Sequence, residues 1–165
     1  MITPRADAQI IDFDYHQCKD NCGNCIAKED WDPIHNLFSE PHYLWAIQPV
    51  ATVQQRLTAI STRFEIHFAT TRLPKARRTT IEWLESHKFP PHFIHFVRHR
   101  QKHTSLGGLH AAIEDDYDQA KLFAEQGIPC YLLQHPWNLG KPAVENVIRV
   151  EDWPQLVGKL MQNGN

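Results

Sequence analysis

The sequence lacks the features of a membrane protein and of a secreted one. Nowhere do about 18 apolar residues run together, the length that a membrane-spanning helix needs. The first residues contain no apolar core of a signal peptide. We therefore expect a cytoplasmic protein with no membrane partner.

The chain also lacks a strong excess of charge and any repeat or low-complexity segment. Its formal net charge of −2 gives no global attraction to nucleic acid, so any basic site must be local. Its 7 glycines and 11 prolines are too few for a disordered or fibrous chain. With 42% hydrophobic residues, the composition predicts one folded domain over residues 1–165.

What the chain does contain is an alternation of short apolar runs with helical patterns. Strands are predicted at residues 10–14, 64–69, 93–97, 109–113, 128–133 and 147–150. Helices are predicted at 32–37, 50–62, 75–87, 118–126 and 152–161, with a further short helix between the basic cluster at 98–103 and Gly107. Strands that alternate with helices favour a mostly parallel sheet covered on both faces. The fold class predicted is therefore α/β.

Polar residues follow three of these strands at their carboxyl ends. Asp12 and Asp14 end the first run, Thr70 follows the second, and Glu114 with Asp115 follows the fourth. Parallel α/β sheets bind ligands outside the carboxyl ends of their strands, so we expect these side chains to share one crevice. Asp12 and Asp14 point the same way in a strand, so one could hold a hard cation or attack a phosphoryl group while the other handles protons. On these two residues alone, a solvated acidic turn is the alternative.

Four short motifs, in this order, resemble those of the haloacid dehalogenase superfamily of phosphohydrolases. They are IIDFD at 10–14, HFATTR at 67–72, RQK at 100–102 and AAIEDD at 111–116. Within that superfamily, the Thr-x-Arg of the second motif, the EDD of the fourth and the segment CYLLQHPWN resemble the 5′(3′)-deoxyribonucleotidase-like branch. The resemblance covers about residues 8–160. It implies a Rossmann-like fold with a small cap insertion at about residues 15–45.

The resemblance also implies hydrolysis of a phosphomonoester through an aspartyl-phosphate. Asp12 would be the nucleophile, and Asp14 would protonate the leaving oxygen and then activate water. Asp12, the backbone carbonyl of Asp14 and Asp115 would hold Mg²⁺, a cation that prefers such oxygen ligands.

Further roles implied by the resemblance concern the phosphate and the substrate. Thr70 would hydrogen-bond a phosphoryl oxygen, and Lys102 would neutralise the charge of the nucleophile and of the transferring group. Thr71 and Arg72 are the candidate substrate-binding residues. A small cap suits a nucleotide or a similar small phosphate ester, and the alternative substrate is a phosphate on a nucleic-acid end.

One departure from the family pattern concerns the residues that follow Asp14. The family usually has Gly-Thr or Gly-Val there, whereas this chain has Tyr15 and His16. Because glycine allows a tight exit from the strand, Tyr15 implies a differently shaped flap. A catalytically degenerate domain that serves as a binding module is therefore an alternative to an enzyme.

A second candidate metal site comes from the cysteines. Three of them share a segment of low apolar content and are spaced CxxxCxxC: Cys18, Cys22 and Cys25. Zinc held by these thiolates and a histidine is the functional hypothesis, because a metal can order a loop whose own packing cannot. His35 is the preferred fourth ligand, since zinc on His16 would approach the Mg²⁺ site beside Asp14. Reduced thiols without metal are the alternative.

The zinc hypothesis predicts about one zinc ion per chain and its loss in Cys22→Ser. Elemental analysis of protein purified without a metal-affinity tag measures this. A metal-free protein whose cysteine segment is equally resistant to protease would contradict it.

Overall fold

The computed structural model describes residues 33, 36–37, 39–90, 92–98 and 100–163. Several predicted functional residues lie outside that set: Asp12, Asp14, His16, Cys18, Cys22, Cys25 and His35. The first predicted strand and most of the helix predicted at 32–37 also lie outside it, although the three described residues of that helix are helical.

The described residues form a mixed α/β structure. Its strands are β1 (His67–Thr70), β2 (Phe93–Phe96), β3 (Ala112–Glu114), β4 (Cys130–Leu133) and β5 (Val147–Val150). Its helices are α1 (Pro41–Ala46), α2 (Val53–Ser61), α3 (Arg77–Ser86), α4 (Lys102–Ser105), α5 (Tyr117–Glu125) and α6 (Trp153–Asn163). The alternation of strands with helices is thereby confirmed for the described residues. None of the helices described here is long and apolar enough to span a membrane.

The strands are arranged in two open parallel sheets. In the first sheet β1 pairs with β2, and in the second β4 lies between β3 and β5. Ile113 of β3 stands opposite Tyr131 of β4, which stands opposite Ile148 of β5. The parallel pairing agrees with the prediction from the sequence.

Helices cover both faces of the second sheet because β4 is apolar on both of its sides. Tyr131 joins a core cluster with α2 and α6, whereas Cys130 and Leu132 join another with α5. A continuous apolar run is what a strand buried on both faces requires. The first cluster also contains Ile66, next to β1, so α2 and α6 pack against both sheets.

The sequence placed the start of the first long helix too early. The spacing of Val50, Val53, Leu57 and Ile60 predicts that these four side chains share the inner face of this helix. Val50 is instead 70% exposed, and the left-handed backbone of Thr52 (φ 68°) precedes the helix, which begins at Val53. The remaining expected residues, Val53, Leu57 and Ile60, are buried. The error arises because the i, i+3 spacing of apolar residues continues through a turn that is not helical.

The inner face of α3 also differs from the expectation. The sequence predicts an inner face of Ile81, Trp83 and Leu84. Trp83 is buried as predicted, but Ile81 and Leu84 are only half-buried, and Thr79 and Thr80 are buried instead. Trp83 stacks on Phe89 with ring centroids 5.6 Å apart, and its Nε1 donates to the Ile47 carbonyl. The tryptophan therefore sets the rotation of the helix, which apolar spacing alone did not predict.

Helix α5 begins at a capping aspartate. The Asp116 Oδ1 atom accepts hydrogen bonds from the backbone N–H groups of Asp118 (2.9 Å) and Gln119 (3.2 Å). Those N–H groups have no partner within the helix, so the carboxylate satisfies them. The third acid of the EDD motif thus has a structural role.

We predict that Asp116→Ala lowers the free energy of unfolding by about 1 kcal/mol because the two N–H groups lose their acceptor. Asp116→Asn is the matched control, since its amide oxygen can still cap the helix. Urea unfolding followed by circular dichroism measures both. Equal stability of the alanine and asparagine variants would contradict the capping role.

Candidate functional site

Some of the described site residues border one cavity of about 490 Å³. Lys102 begins α4, Glu114 ends β3 and Asp115 follows it, and all three line the cavity. The β1 strand borders the same space through Phe68 and Ala69. Thr70, the last residue of β1, is the next residue along the chain. The structure therefore brings the carboxyl ends of β1 and β3 to one cavity.

A buried ion pair lies at this cavity. The Lys102 Nζ atom is 2.8 Å from Oε1 and 3.0 Å from Oε2 of Glu114. The Glu114 side chain is only 6% exposed and that of Lys102 is 22% exposed. The sequence indicated both residues as candidates but did not predict that they contact each other. The pair holds the ammonium group of Lys102 at the end of β3.

The charge state of Glu114 depends on its burial. Burial raises its pKa from 4.5 to about 7, although the ammonium group of Lys102 acts in the opposite direction. The carboxylates of Asp115 and Asp116 raise the pKa further. Near neutral pH, Glu114 is therefore a mixture of its charged and neutral forms, and the charge of Lys102 is only partly offset.

The loop after β4 holds the backbone of Asp115. The Asp115 carbonyl accepts hydrogen bonds from the Asn138 Nδ2 atom (2.8 Å) and the Trp137 Nε1 atom (3.0 Å). Asn138 is fully buried and also donates to the Leu133 carbonyl (2.7 Å). Sequence reasoning did not assign this role, although both side chains belong to the segment CYLLQHPWN. They position Asp115 without occupying its carboxylate.

The turn after β1 holds the other candidate phosphate and substrate residues. The Thr70 Oγ1 atom accepts a hydrogen bond from the Arg72 N–H group (3.3 Å), which leaves its own hydroxyl hydrogen to donate. Arg72 is half-buried, donates to Thr80 Oγ1 (3.2 Å), and has a pKa lowered by burial. Thr71 is exposed. Thr70 thus keeps the capacity to bind a phosphoryl oxygen that its predicted role requires.

Sequence reasoning missed a pair of histidines on β1 and β2. The His67 Nδ1 atom lies 3.0 Å from the His95 Nε2 atom with the rings parallel, and His67 Nε2 lies 2.8 Å from Glu65 Oε1. Burial and the neighbouring His67 lower the pKa of His95. The repeated tripeptide Ile-His-Phe in both strands was the available signal. His67 lines the cavity, whose walls therefore include an imidazole.

The predicted metal ligands are only partly within the described residues. In the described part of the chain, no group of three or more His, Cys, Asp or Glu side chains is arranged to hold a metal ion. Asp115 is the one member of the predicted Mg²⁺ set that is described. The donors Asp12 and Asp14 lie outside the described residues, and so do all four predicted zinc ligands.

Comparisons with protein-family models and with curated proteins find no match to this chain. A function must therefore be inferred from its own residues.

We predict a pH-dependent stability difference between the wild type and Glu114→Gln. Between pH 4.5 and about 7 the folded protein retains a proton that the unfolded chain releases. The free energy of unfolding, relative to the variant, should therefore fall as the pH rises through that window and level off above it, with a slope of at most about 1.4 kcal/mol per pH unit.

Denaturant unfolding of both proteins across that pH range measures the difference in the free energy of unfolding. The titration of the histidines contributes to both proteins alike and largely cancels in this difference. In the variant, Lys102 has lost its counter-ion. This loss adds a constant amount to the difference in the free energy of unfolding, and that amount does not depend on the titration of Glu114. A difference that is equal at about pH 5 and about pH 8 would contradict the raised pKa.

Proposed function

We propose that this protein is a Mg²⁺-dependent phosphomonoester hydrolase of the haloacid dehalogenase type, which acts through an aspartyl-phosphate on a nucleotide or a similar small phosphate ester. One observation carries the proposal. Lys102 and Asp115 lie at one cavity together with the carboxyl end of β1, the strand that ends in Thr70. A cation, a carboxylate and a hydroxyl are the groups that phosphoryl transfer needs around its phosphate.

The electrostatics of the ion pair support binding of a phosphate. Because burial raises the pKa of Glu114 to about 7, this carboxyl does not fully cancel the charge of Lys102 at neutral pH. Glu114 nevertheless keeps contact with the ammonium group through both of its oxygens. Lys102 is thereby preorganised while it retains positive charge for a dianionic ester. A preorganised charge stabilises the transition state without having to reorient during the reaction.

The chemistry itself belongs to the two aspartates of the first motif. A carboxylate oxygen of Asp12 attacks phosphorus, and the bond from phosphorus to the ester oxygen breaks while Asp14 gives that oxygen its proton. Asp14 then takes a proton from water, which attacks phosphorus and releases Asp12 with inorganic phosphate. Thr70 and Lys102 bind the phosphoryl oxygens in both steps, the formation of the aspartyl-phosphate and its hydrolysis.

Asp115 is a donor of the kind that a hard divalent cation prefers. Asp115 offers a carboxylate whose backbone is fixed by Asn138 and Trp137, and the neighbouring Glu114 is occupied by Lys102. Asp12, the carbonyl of Asp14 and Asp115 would hold Mg²⁺, which offsets the charge of the carboxylates and of the phosphate when it is bound. Thr71 and Arg72, in the turn that follows Thr70, would contact the remainder of the substrate.

The test is release of phosphate or nitrophenol from p-nitrophenyl phosphate with Mg²⁺ and with EDTA. We expect activity only with Mg²⁺ and a loss of several orders of magnitude in Asp12→Asn, because the variant lacks the nucleophile. Asp7→Asn is the matched control, a nearby aspartate outside the motif, and should retain wild-type turnover.

Wild-type turnover in Asp12→Asn, or the absence of Mg²⁺-dependent hydrolysis in the wild type, would overturn the proposal. The substrate class is then tested with a panel of nucleoside monophosphates and with an oligonucleotide that carries a 3′-phosphate. Preference for the oligonucleotide would contradict the small-ester assignment.

A further inference from the structure

The two turns at the carboxyl end of the first sheet carry a high concentration of positive charge. Four of the eight residues 71–78, after β1, are lysine or arginine, as are three of the seven residues 97–103, after β2. Neither stretch contains an aspartate or a glutamate, although the chain as a whole has a formal net charge of −2. Protein surfaces normally mix charges of both signs, so this rim is a local feature that attracts anions.

The two turns form one surface because β1 and β2 are neighbours. Thr70, the last residue of β1, stands opposite Phe96, and its carbonyl accepts a hydrogen bond from the Val97 N–H group (2.9 Å). The guanidinium group of Arg77, at the start of α3, lies over the Phe96 ring, 4.8 Å from its centroid. Arg98 directly follows Val97. Arg77 and Arg98 therefore both lie at the end of β2, beside the end of β1.

Most cations of the rim are paired, but the two at the end of β2 are not. Four cations lie within 3.8 Å of a carboxylate: Lys75 with Glu40, Arg78 with Glu82, Arg100 with Asp118 and Lys102 with Glu114. Within the described part of the chain, Arg77 and Arg98 have no carboxylate partner. Both are exposed. Their charge is therefore available to an anion from solution.

The location of Arg77 does not favour the helix that it begins. A helix carries a partial positive charge at its N-terminus, where acidic side chains stabilise it and basic ones do not. Helix α3 has no acidic residue in its first turn and begins with Arg77 and Arg78. Stability of the helix thus does not explain these cations, and binding of an anion does.

We infer that Arg77 and Arg98 bind a second anionic group of the substrate, which is then a small phosphate ester that bears a further phosphate group. The inference rests on the proposed function, in which Lys102 and Thr70 bind the phosphate that is hydrolysed. Neither arginine lines the cavity that Lys102 borders, so the group that they bind lies outside this cavity. Arginine matches phosphate through two parallel N–H···O bonds. Phe96 holds Arg77 in place before binding, which lowers the entropy cost.

The number of available charges favours a small substrate. A phosphate monoester carries a charge of about −1.5 to −2 at neutral pH, which two guanidinium groups balance. A nucleic acid presents a row of phosphates and needs a matching row of cations. Here the neighbouring cations Lys75, Arg78 and Arg100 are already paired with carboxylates.

Isothermal titration calorimetry tests the inference with two probes, adenosine 5′-monophosphate and adenosine 3′,5′-bisphosphate. The full-length protein is used with Mg²⁺, at about 150 mM salt to screen distant charges, and with Asp12→Asn to prevent turnover. We expect the bisphosphate to bind at least about tenfold more tightly, because it gains charge-assisted hydrogen bonds. Arg77→Ala and Arg98→Ala should each lower this preference several-fold.

The matched control is Arg78→Ala, which removes the same charge from the adjacent exposed position. Because Glu82 already binds the Arg78 guanidinium group (2.7 Å), the preference for the bisphosphate should not change. Circular dichroism checks that all three variants keep the fold.

Equal affinity for the two probes would overturn the inference, and so would a preference that survives both Arg77→Ala and Arg98→Ala. An equal loss in Arg78→Ala would also overturn it, because the effect would then come from overall charge and not from a site. Tighter binding of a single-stranded oligonucleotide than of the bisphosphate would contradict the small substrate. A preference that depends on both arginines, in a protein whose wild type hydrolyses no phosphate ester, would support the anion site and contradict only the enzymatic proposal.

Discussion

The ion pair between Lys102 and Glu114 is the interaction on which the geometry of the site depends. It joins the connection after β2 to the end of β3, so it links the first sheet to the second. The pKa of Glu114 is raised to about 7, with burial as the largest cause, in spite of its contact with Lys102. A buried ion pair of this kind is weak evidence of a net gain in stability. Its contribution is therefore positional. It fixes a cation at a cavity wall where packed apolar side chains would have a lower free-energy cost than a buried ion pair.

A second constraint acts on the neighbouring residue. The Asp115 carbonyl receives two side-chain hydrogen bonds from the loop that follows β4, and one donor, Asn138, is itself fully buried. A buried amide must find partners, and Asn138 finds them in two carbonyls, of Asp115 and of Leu133. The loop after β4 thus holds the backbone of the acid that follows the neighbouring strand, β3. Glu114 and Asp115, adjacent in sequence, are held by different parts of the chain.

The sequence predicted the order of strands and helices because apolar periodicity and strand-end polarity are local signals. It located Thr70 and Asp115 at strand ends for the same reason, whereas only the family resemblance indicated Lys102. It did not predict that Glu114 pairs with Lys102, that Asn138 holds Asp115, or that Thr80 is buried in place of Ile81. Each of these depends on contacts between elements distant in the chain, or on the rotation of a helix about a large side chain such as Trp83. Spacing alone carries no information about either.

The state of Cys130 decides whether this thiol is a candidate nucleophile. This thiol lies in β4, is fully buried, and has a pKa raised by burial and, to a smaller extent, by the Glu114 carboxyl. The thiolate is the reactive form of cysteine, so Cys130 stays neutral and inert at physiological pH. Of the cysteines, Cys130 is the one in the described part of the chain, and it does not supply a cysteine-based route to phosphate ester cleavage there. The proposal of an oxygen nucleophile, the carboxylate of Asp12, is compatible with a neutral Cys130.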